Sequence, residues 1–294
     1  MNIFDRLMQI DRRWVFLFLV ILCVIAYVAD FQIPILIEPE VESIFTFIDT
    51  LPKGSVVFIP MDYDPGSMAE LHPMTYAIVE QCWRKEIKVL ITALSQNGPG
   101  MADQALRDIA DSMLVPKTYN GVSYPAREVV NGVDYVFLGY KPYPALVILA
   151  MGQDFRLPFP LDYYGTPVDS LPMMRGLHNY NDLACAINIS GTNATDYWIS
   201  YGQGRFGFPL AIGVTGVSTA QYYPYLGSGQ IFGIMGGMLG GAEYEELADN
   251  PGNAKDAMRV QLFAHLVIIA FVIMGNIGFF ATVRKRKRQQ REGR

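Results

Sequence analysis

The feature that most constrains the fold of this chain is a run of 24 residues without a charge near its carboxyl end. The run is VQLFAHLVIIAFVIMGNIGFFATV (260–283), and the basic tail RKRKRQQREGR (284–294) follows it directly. At about 1.5 Å per residue, a helix of that length exceeds the hydrocarbon core of a bilayer, which is about 30 Å thick. The sequence therefore predicts a membrane-spanning helix at 260–283.

A second apolar run, WVFLFLVILCVIAYVA, begins at Trp14 and continues past Asp30 with FQIPILI. It predicts a second membrane helix at 14–33. Its apolar core is longer than that of most cleaved signal peptides, and Tyr27 is too bulky for the position where cleavage requires a small residue. We therefore expect this helix to remain as an anchor.

The distribution of charge predicts how the chain crosses the membrane. The tail at 284–294 carries seven Lys and Arg against one Glu, and the first 14 residues carry three Arg against two Asp. Because basic flanks stay in the cytoplasm, both termini (1–13 and 284–294) should be cytoplasmic, and the domain at 34–258 should lie on the periplasmic or extracellular side. The 13 basic and 25 acidic side chains between the flanks leave a net charge of −12. This argues against nucleic acid as a partner, whereas the tail suits membrane lipid.

The domain between the two spans alternates short Val/Ile/Leu-rich runs with longer segments of helical period. This pattern predicts an α/β fold with a doubly wound, mainly parallel, Rossmann-like sheet. The predicted strands are 55–61, 87–94, 134–138, 145–151, 183–189 and 208–216. Two Asn-Gly pairs at 120–121 and 131–132 suggest hairpins, and the proline-rich segment 157–176 should be a loop or a cover over the sheet edge. Cys82 and Cys185 lie in apolar contexts and are expected to be buried free thiols, with a disulfide as the alternative.

Ligands of doubly wound sheets bind beyond the carboxyl ends of the strands, so the segments that follow the predicted strands are the candidate site. Asp62 and Asp64 follow the first strand two residues apart, where both carboxylates can hold a divalent cation or supply a nucleophile and an acid. The alternative is that they cap the helix that begins near Ser67. The remaining candidate ligand-binding residues after other strands are Ser95, Asn97, Asp154 and Thr215.

The Asp-x-Asp pattern at Asp62 and Asp64 resembles the first motif of the haloacid dehalogenase superfamily. This resemblance implies phosphoryl transfer at Asp62, with Ser95 and Asp154 as counterparts of the later motifs. The chain departs from the pattern at Pro65 and Gly66, and it has no evident matching lysine.

Other catalytic arrangements have little support in the sequence. His72 is a candidate base, but it precedes a proline at a predicted helix start, which favours a structural role. The chain has no GxSxG elbow and no residues at zinc-ligand spacing. No cofactor is therefore expected, with a divalent cation at Asp62 and Asp64 as the alternative.

The uncharged segment YLGSGQIFGIMGGMLGG (225–241) contains seven glycines. Its dinucleotide-like spacing lacks the strand that such a loop must follow, so we interpret the segment as one helix. Gly229, Gly233, Gly237 and Gly241 would then form a stripe without side chains, whose cost in helix propensity requires close packing against a neighbour.

Two polar residues in the predicted second span, His265 and Asn276, suggest contact with another membrane helix rather than with lipid. We therefore expect a non-catalytic subunit of a larger membrane complex, structural or ligand-sensing, with other membrane proteins or further copies of the chain as partners. The alternative is a membrane-tethered, metal-assisted hydrolase or phosphoryl-transfer enzyme centred on Asp62 and Asp64. A third hypothesis places the function in the cytoplasmic tail.

Overall fold

The computed structural model of the protein describes residues 11–29, 34–250 and 252–292. Its internal contacts divide the chain into two units. One unit combines Met1–Pro34 with Asp256–Arg294, and the other is Ile35–Lys255.

The described residues of the first unit form helix α1 (Arg12–Val28) and most of helix α10 (Asn253–Glu292). Within the described residues, the stretch Asn253–Arg284 of α10 is the one helix that is long and apolar enough to cross a membrane. Helix α1 has 17 residues, which corresponds to about 26 Å, and residues 30–33 of the predicted first span lie outside the described residues. Phe18 of α1 and Phe271 of α10 meet edge to face, with ring centroids 5.9 Å apart.

The second unit is built on a six-stranded parallel sheet, which confirms the predicted α/β class. Its strands are β1 (Val56–Asp62), β2 (Lys88–Ala93), β5 (Tyr135–Tyr140), β6 (Cys185–Ser190), β7 (Leu210–Val214) and β8 (Gly233–Gly236). Their order is β5-β2-β1-β6-β7-β8, which is Rossmann-like. The chain winds outward from β1 to β5 and then crosses to β6, so the direction of winding reverses between β1 and β6.

Helices cover both faces of the sheet because successive side chains of each strand point to opposite faces. In β1, for example, Val57 and Ile59 enter one core, while Phe58 enters the other. The helices of the first core are α2 (Pro39–Thr50), α3 (Met68–Arg84), α4 (Gly98–Ser112) and α9 (Gly237–Leu247). The second core is covered by α5 (Pro144–Met151), α6 (Ala194–Tyr197), a π-helical turn (Trp198–Gln203), α7 (Gly204–Phe206) and α8 (Gly216–Gly227).

The first Asn-Gly pair forms the predicted hairpin. Asn120 and Gly121 both have positive φ, +48° and +74°, and join β3 (Lys117–Tyr119) to β4 (Val122–Tyr124). The second pair makes a turn into β5 rather than a hairpin, since the amide of Gly132 donates to the carbonyl of Tyr135.

The proline-rich segment 157–176 covers the outer edge of the sheet, as predicted. It is irregular, with short 3₁₀ turns at Val168–Ser170 and Pro172–Met174. The amide of Tyr163 donates to the carbonyl of Phe137 on the edge strand β5 at 2.7 Å. This bond satisfies a backbone group that an open edge would leave free to pair with another chain.

The strand predicted at 145–151 is wrong, because this segment forms helix α5. Pro144 occupies the first turn of the helix, where its fixed φ suits a helix and its missing N–H costs nothing. Val147, Ile148 and Met151 are buried, while Leu146 is 67% exposed. A short apolar run does not by itself distinguish a buried strand from a helix that packs on one side.

The single glycine-striped helix predicted at 225–241 is also wrong. Gly229 has a φ of +76° and lies in the turn after α8, Gly233 opens strand β8, and Gly237 and Gly241 belong to α9. The expected close approach nevertheless occurs at two of these positions. A Cβ atom added at Gly233 would lie 2.3 Å from Cγ1 of Ile44, and one at Gly237 would lie 2.9 Å from the backbone of Gly216.

Cys82 and Cys185 are free, buried thiols, as expected. Burial raises the pKa of both thiols, so both stay protonated and unreactive at neutral pH.

We expect Gly233→Ala to lower the free energy of unfolding by about 1–3 kcal/mol, because the added methyl group would overlap Ile44 and the backbone of α2. Gly227→Ala is the matched control, since a Cβ atom there meets nothing within 4 Å. Thermal unfolding of the full-length protein in detergent measures both changes. Equal stability of the two variants would contradict the packing of β8 against α2.

Candidate functional site

The candidate site predicted by the sequence lies at the carboxyl edge of the sheet, where β1 and β6 end. Asp62 is the last residue of β1, and its side chain is fully buried. Its carboxylate accepts hydrogen bonds from the backbone amide of Leu94 at 2.5 Å, from Nδ2 of Asn188 at 2.8 Å and from Nε1 of Trp198 at 2.8 Å. The carboxylate therefore joins the ends of β1 and β2 to β6 and to the π-helical turn.

Two opposing effects act on the ionisation of Asp62. Burial raises the pKa of its carboxyl to about 6, although hydrogen bonds from Leu94, Trp198, Asn188 and the backbone of Ser95 act to lower it. Because the pKa remains below 7, the group is mainly ionised at neutral pH. A buried carboxylate of this kind needs its donors, since an unpaired charge in the interior is very costly.

Asp64 has a different role from Asp62. Its Oδ1 atom accepts from the amide and from the hydroxyl of Ser67, both at 3.1 Å. These bonds fix the turn that precedes helix α3, which fits the capping alternative for Asp64 but not for Asp62. The two aspartates therefore serve separate elements.

The turns that follow β1 and β6 pack directly against each other. A Cβ atom added at Gly191 would lie 2.2 Å from Oγ of Ser67, so only glycine fits there. The hydroxyl of Ser190 donates to the main-chain carbonyl of Asp62 at 3.2 Å, and that of Thr192 does so at 3.3 Å. These contacts fill the place where the winding of the sheet reverses.

Glu70 places a carboxylate at the amino end of helix α8. Its Oε2 atom accepts from the amide of Gly216 at 2.8 Å, and a Cβ atom added at Gly237, at the start of α9, would lie 2.9 Å from it. The amino end of a helix carries partial positive charge and free amides, which attract anions. In this protein, the side chain of Glu70 provides that anion.

The other candidate residues are distributed around the sheet. Ser95 approaches Asp62 through its backbone, and Asn97 is an exposed residue at the start of α4. Thr215 precedes α8, and its hydroxyl donates to Ser218 at 3.1 Å. Asp154 follows α5 and instead accepts from the amide of Arg156 at 2.8 Å. No contact of the described residues joins Asp154 to Asp62, Asp64 or Ser95.

His72 lies in α3 beside the end of β1. Its Nδ1 atom is 2.9 Å from the hydroxyl of Tyr63, which is in turn 3.1 Å from the hydroxyl of Thr75. Burial lowers the pKa of the imidazole, although the charge of Asp108 opposes this effect, so His72 is neutral at pH 7. The neutral ring serves as a packed member of a hydrogen-bonded row between strand and helix.

The donors around Asp62 were missed in the sequence, and so was the role of Glu70. Asn188 is a polar residue inside the otherwise apolar strand CAINIS, and such a position signals a buried partner. Trp198 gave no comparable signal, because only the fold shows where its indole N–H points. Among the described residues, no group of three or more His, Cys, Asp or Glu side chains is arranged to hold a metal ion.

We expect Asp62→Asn to lower the free energy of unfolding by about 1–3 kcal/mol, although it removes a buried charge. Three donors converge on the carboxylate, and an amide would turn its own NH₂ group toward at least one of them. Asp64→Asn is the matched control, because asparagine keeps the oxygen that accepts from Ser67, and its effect should stay within about 0.5 kcal/mol. Chemical denaturation of the full-length protein measures both, and a neutral or stabilising Asp62→Asn would refute the geometry.

The pH dependence of the free energy of unfolding, compared between the wild type and Asp62→Asn, follows from the pKa of Asp62. The folded value of about 6 exceeds the reference value of 3.8, so the contribution of this group to stability is full below about pH 4 and is lost as the pH rises through about 6. The stability of the wild type relative to Asp62→Asn, which cannot titrate, should therefore decrease between about pH 4 and pH 7. A difference that increases over this range would show that the pKa is lowered instead.

Glu70→Ala should leave the amino end of α8 without its carboxylate and lower the free energy of unfolding by about 1 kcal/mol. If Glu70 acts as the built-in anion, sulfate should recover part of this loss relative to chloride at equal ionic strength. Glu70→Gln, which keeps an acceptor oxygen, is the control and should respond less to sulfate. The same response to sulfate in the wild type and in Glu70→Ala would contradict this role.

The order of the strands and the position of the reversal are those of doubly wound sheets that bind ligands at this edge. Here the edge is occupied by Asp62, Glu70 and the paired turns of Ser67 and Gly191. Comparison of the chain with models of protein families, with curated proteins and with solved structures gives no match.

Proposed function

We propose that this chain is a two-span membrane protein whose extracytoplasmic α/β domain is a non-catalytic subunit, structural or ligand-sensing, of a larger membrane complex. The observation that carries the proposal is the occupation of the carboxyl edge by the chain's own groups. Asp62 has three donors from distant parts of the chain, and Glu70 binds the amino end of α8. Groups held in this way stabilise the fold and are not available to a substrate.

The two-span topology rests on the apolar helices and on the charges that flank them. Helix α10 continues into the basic segment that begins at Arg284, and Arg12 and Arg13 open helix α1. Both basic flanks favour the cytoplasmic side, which leaves the acidic domain outside.

A partner within the membrane is supported by two polar residues of α10. His265 and Asn276 are both exposed. The amide nitrogen of Asn276 donates to the carbonyl of Val272 within the same helix at 2.9 Å, and its Oδ1 atom accepts from no described group. Polar groups in a lipid environment are costly unless another helix provides partners, so these residues favour association with a further membrane protein or a second copy.

The enzyme alternative requires the carboxylate of Asp62 to face a substrate or a metal ion. In the described residues it faces Trp198 and Asn188 instead, and Asp64 is engaged by Ser67. A hydrolase centred on these residues would have to break these bonds before it could bind its cation.

The proposed assembly is tested on the full-length protein extracted in mild detergent. We expect it to migrate on native gels as a species larger than the monomer with its detergent, and the double variant His265→Leu, Asn276→Leu to shift toward the monomer. Thr282→Val is the matched control, because the hydroxyl of Thr282 is already used by the carbonyl of Gly278 in its own helix. A wild type that is monomeric and purifies without other membrane proteins would refute the subunit role.

A second measurement separates this proposal from the enzyme alternative. Isothermal titration with Mg²⁺ and Mn²⁺ compares the wild type with the double variant Asp62→Asn, Asp64→Asn. The proposal predicts no saturable cation binding by either protein. Binding by the wild type that the variant loses would support the enzyme alternative instead.

A further inference from the structure

A concave site lies at the carboxyl end of helix α3, at the edge of the sheet opposite Asp62. It has a volume of about 260 Å³ and is formed by α2, α3 and the β3–β4 hairpin. Its lining includes Phe45, Arg84, Lys85, Tyr119, Val122 and Tyr124. The wall is therefore cationic at Arg84 and Lys85 and aromatic or aliphatic over much of the rest, and Asp49, Gln81 and Asn120 complete it.

Arg84 lies against two tyrosine rings and forms no ion pair within the described residues. Its guanidinium carbon lies 3.6 Å from the centroid of the Tyr119 ring and 5.7 Å from that of Tyr124. Its Nε atom is buried and donates to no acceptor, and across residues 34–250 no carboxylate or carbonyl oxygen accepts a hydrogen bond from this side chain. Buried N–H groups nearly always have an acceptor, so the missing one indicates a group that the chain itself does not provide.

The carboxylates near Arg84 are already engaged by other cations. Glu80 is bound by Lys117 at 2.8 Å, by the hydroxyl of Tyr119 and by the amide of Asn250. Asp49 is bound by Lys85 at 2.7 Å. Arg84 forms no ion pair of its own within the described residues, although its charge acts with that of Lys117 to lower the pKa of Glu80.

We propose that this site binds a small organic carboxylate with an apolar body. The planar guanidinium of Arg84, fixed by Tyr119, matches a carboxylate through two parallel hydrogen bonds. Phe45 and Val122 provide contacts for the rest of the ligand, and the volume suits a molecule of the size of benzoate or a short fatty acid.

The position of the site favours a ligand with a single negative charge over a ligand with several. The carboxyl end of α3 carries partial negative charge, and no helix directs its free amides into the site. Phosphate groups commonly bind where several backbone amides converge, so a phosphate is a poorer match than a carboxylate. The site lies apart from the groups that close the carboxyl edge. Ligand binding at this site and the proposed subunit role can therefore be tested independently of each other.

The test uses the full-length protein in detergent with benzoate as the probe. Isothermal titration and saturation-transfer NMR compare benzoate with its uncharged analogue benzamide and with inorganic phosphate. We expect saturable binding of benzoate, with benzamide and phosphate at least tenfold weaker. Arg84→Gln should weaken benzoate binding by about ten- to a hundredfold, as expected for the loss of a charge-assisted hydrogen bond.

Two further variants separate the binding role of Arg84 from its contribution to stability. Arg84→Lys keeps the charge but loses the bidentate geometry, so its affinity for benzoate should lie between those of the wild type and of Arg84→Gln. Arg107→Gln removes an arginine of α4 that pairs with Asp103, and it should bind benzoate as the wild type does. Thermal unfolding of each variant confirms that it is folded at the temperature of the titration.

The proposal is overturned if the wild type shows no saturable binding of benzoate, or if folded Arg84→Gln binds it as tightly as the wild type. It is also overturned if benzamide binds as well as benzoate, because the guanidinium would then have no role. Binding of phosphate in preference to benzoate would refute the carboxylate assignment.

Discussion

The buried carboxylate of Asp62 is the interaction on which the arrangement of the second unit depends. It lies at the end of the central strand β1, and its donors come from the turn after β2, from β6 and from Trp198. A charge in this position is tolerated only because three N–H groups surround it, and those groups are correctly placed only in the folded sheet. The carboxylate therefore ties the two halves of the sheet together where the winding reverses, at the place where related architectures leave room for a ligand.

Two further contacts close the carboxyl edge of the sheet, one between two uncharged turns and one made by a carboxylate. Ser67 and Gly191 bring two turns together more closely than any side chain at 191 would allow, and Glu70 neutralises the amino end of α8. At the opposite edge, Arg84 lies against Tyr119, and its buried Nε atom has no acceptor among the described residues. The carboxylates of Asp62 and Glu70 at the carboxyl edge have donors from the chain itself, whereas the buried Nε atom of Arg84 at the amino edge has no acceptor.

The sequence predicted the sheet well where strands are rich in branched apolar residues, because residues such as Val57 and Ile59 give a strong local signal. The prediction failed at β8, whose glycines resemble a helical stripe, and at α5, whose short apolar run resembles a strand. The site was predicted only in part. Asp62 and Asp64 are two residues apart in the sequence and easily found, but Leu94, Asn188 and Trp198 lie 32, 126 and 136 residues from Asp62. Only tertiary packing brings these donors to one carboxylate, and no local pattern contains that information.

Amide hydrogen exchange at Leu94 and Gly216 tests most directly whether the chain's own carboxylates occupy the carboxyl edge. These two amides donate to Asp62 and to Glu70. We predict that both amides exchange as slowly as those in the middle of β1, and that Mg²⁺ or phosphate leaves their exchange rates unchanged. Exchange at the rate of open loops, or protection that appears only when a cation or an anion is added, would contradict this prediction.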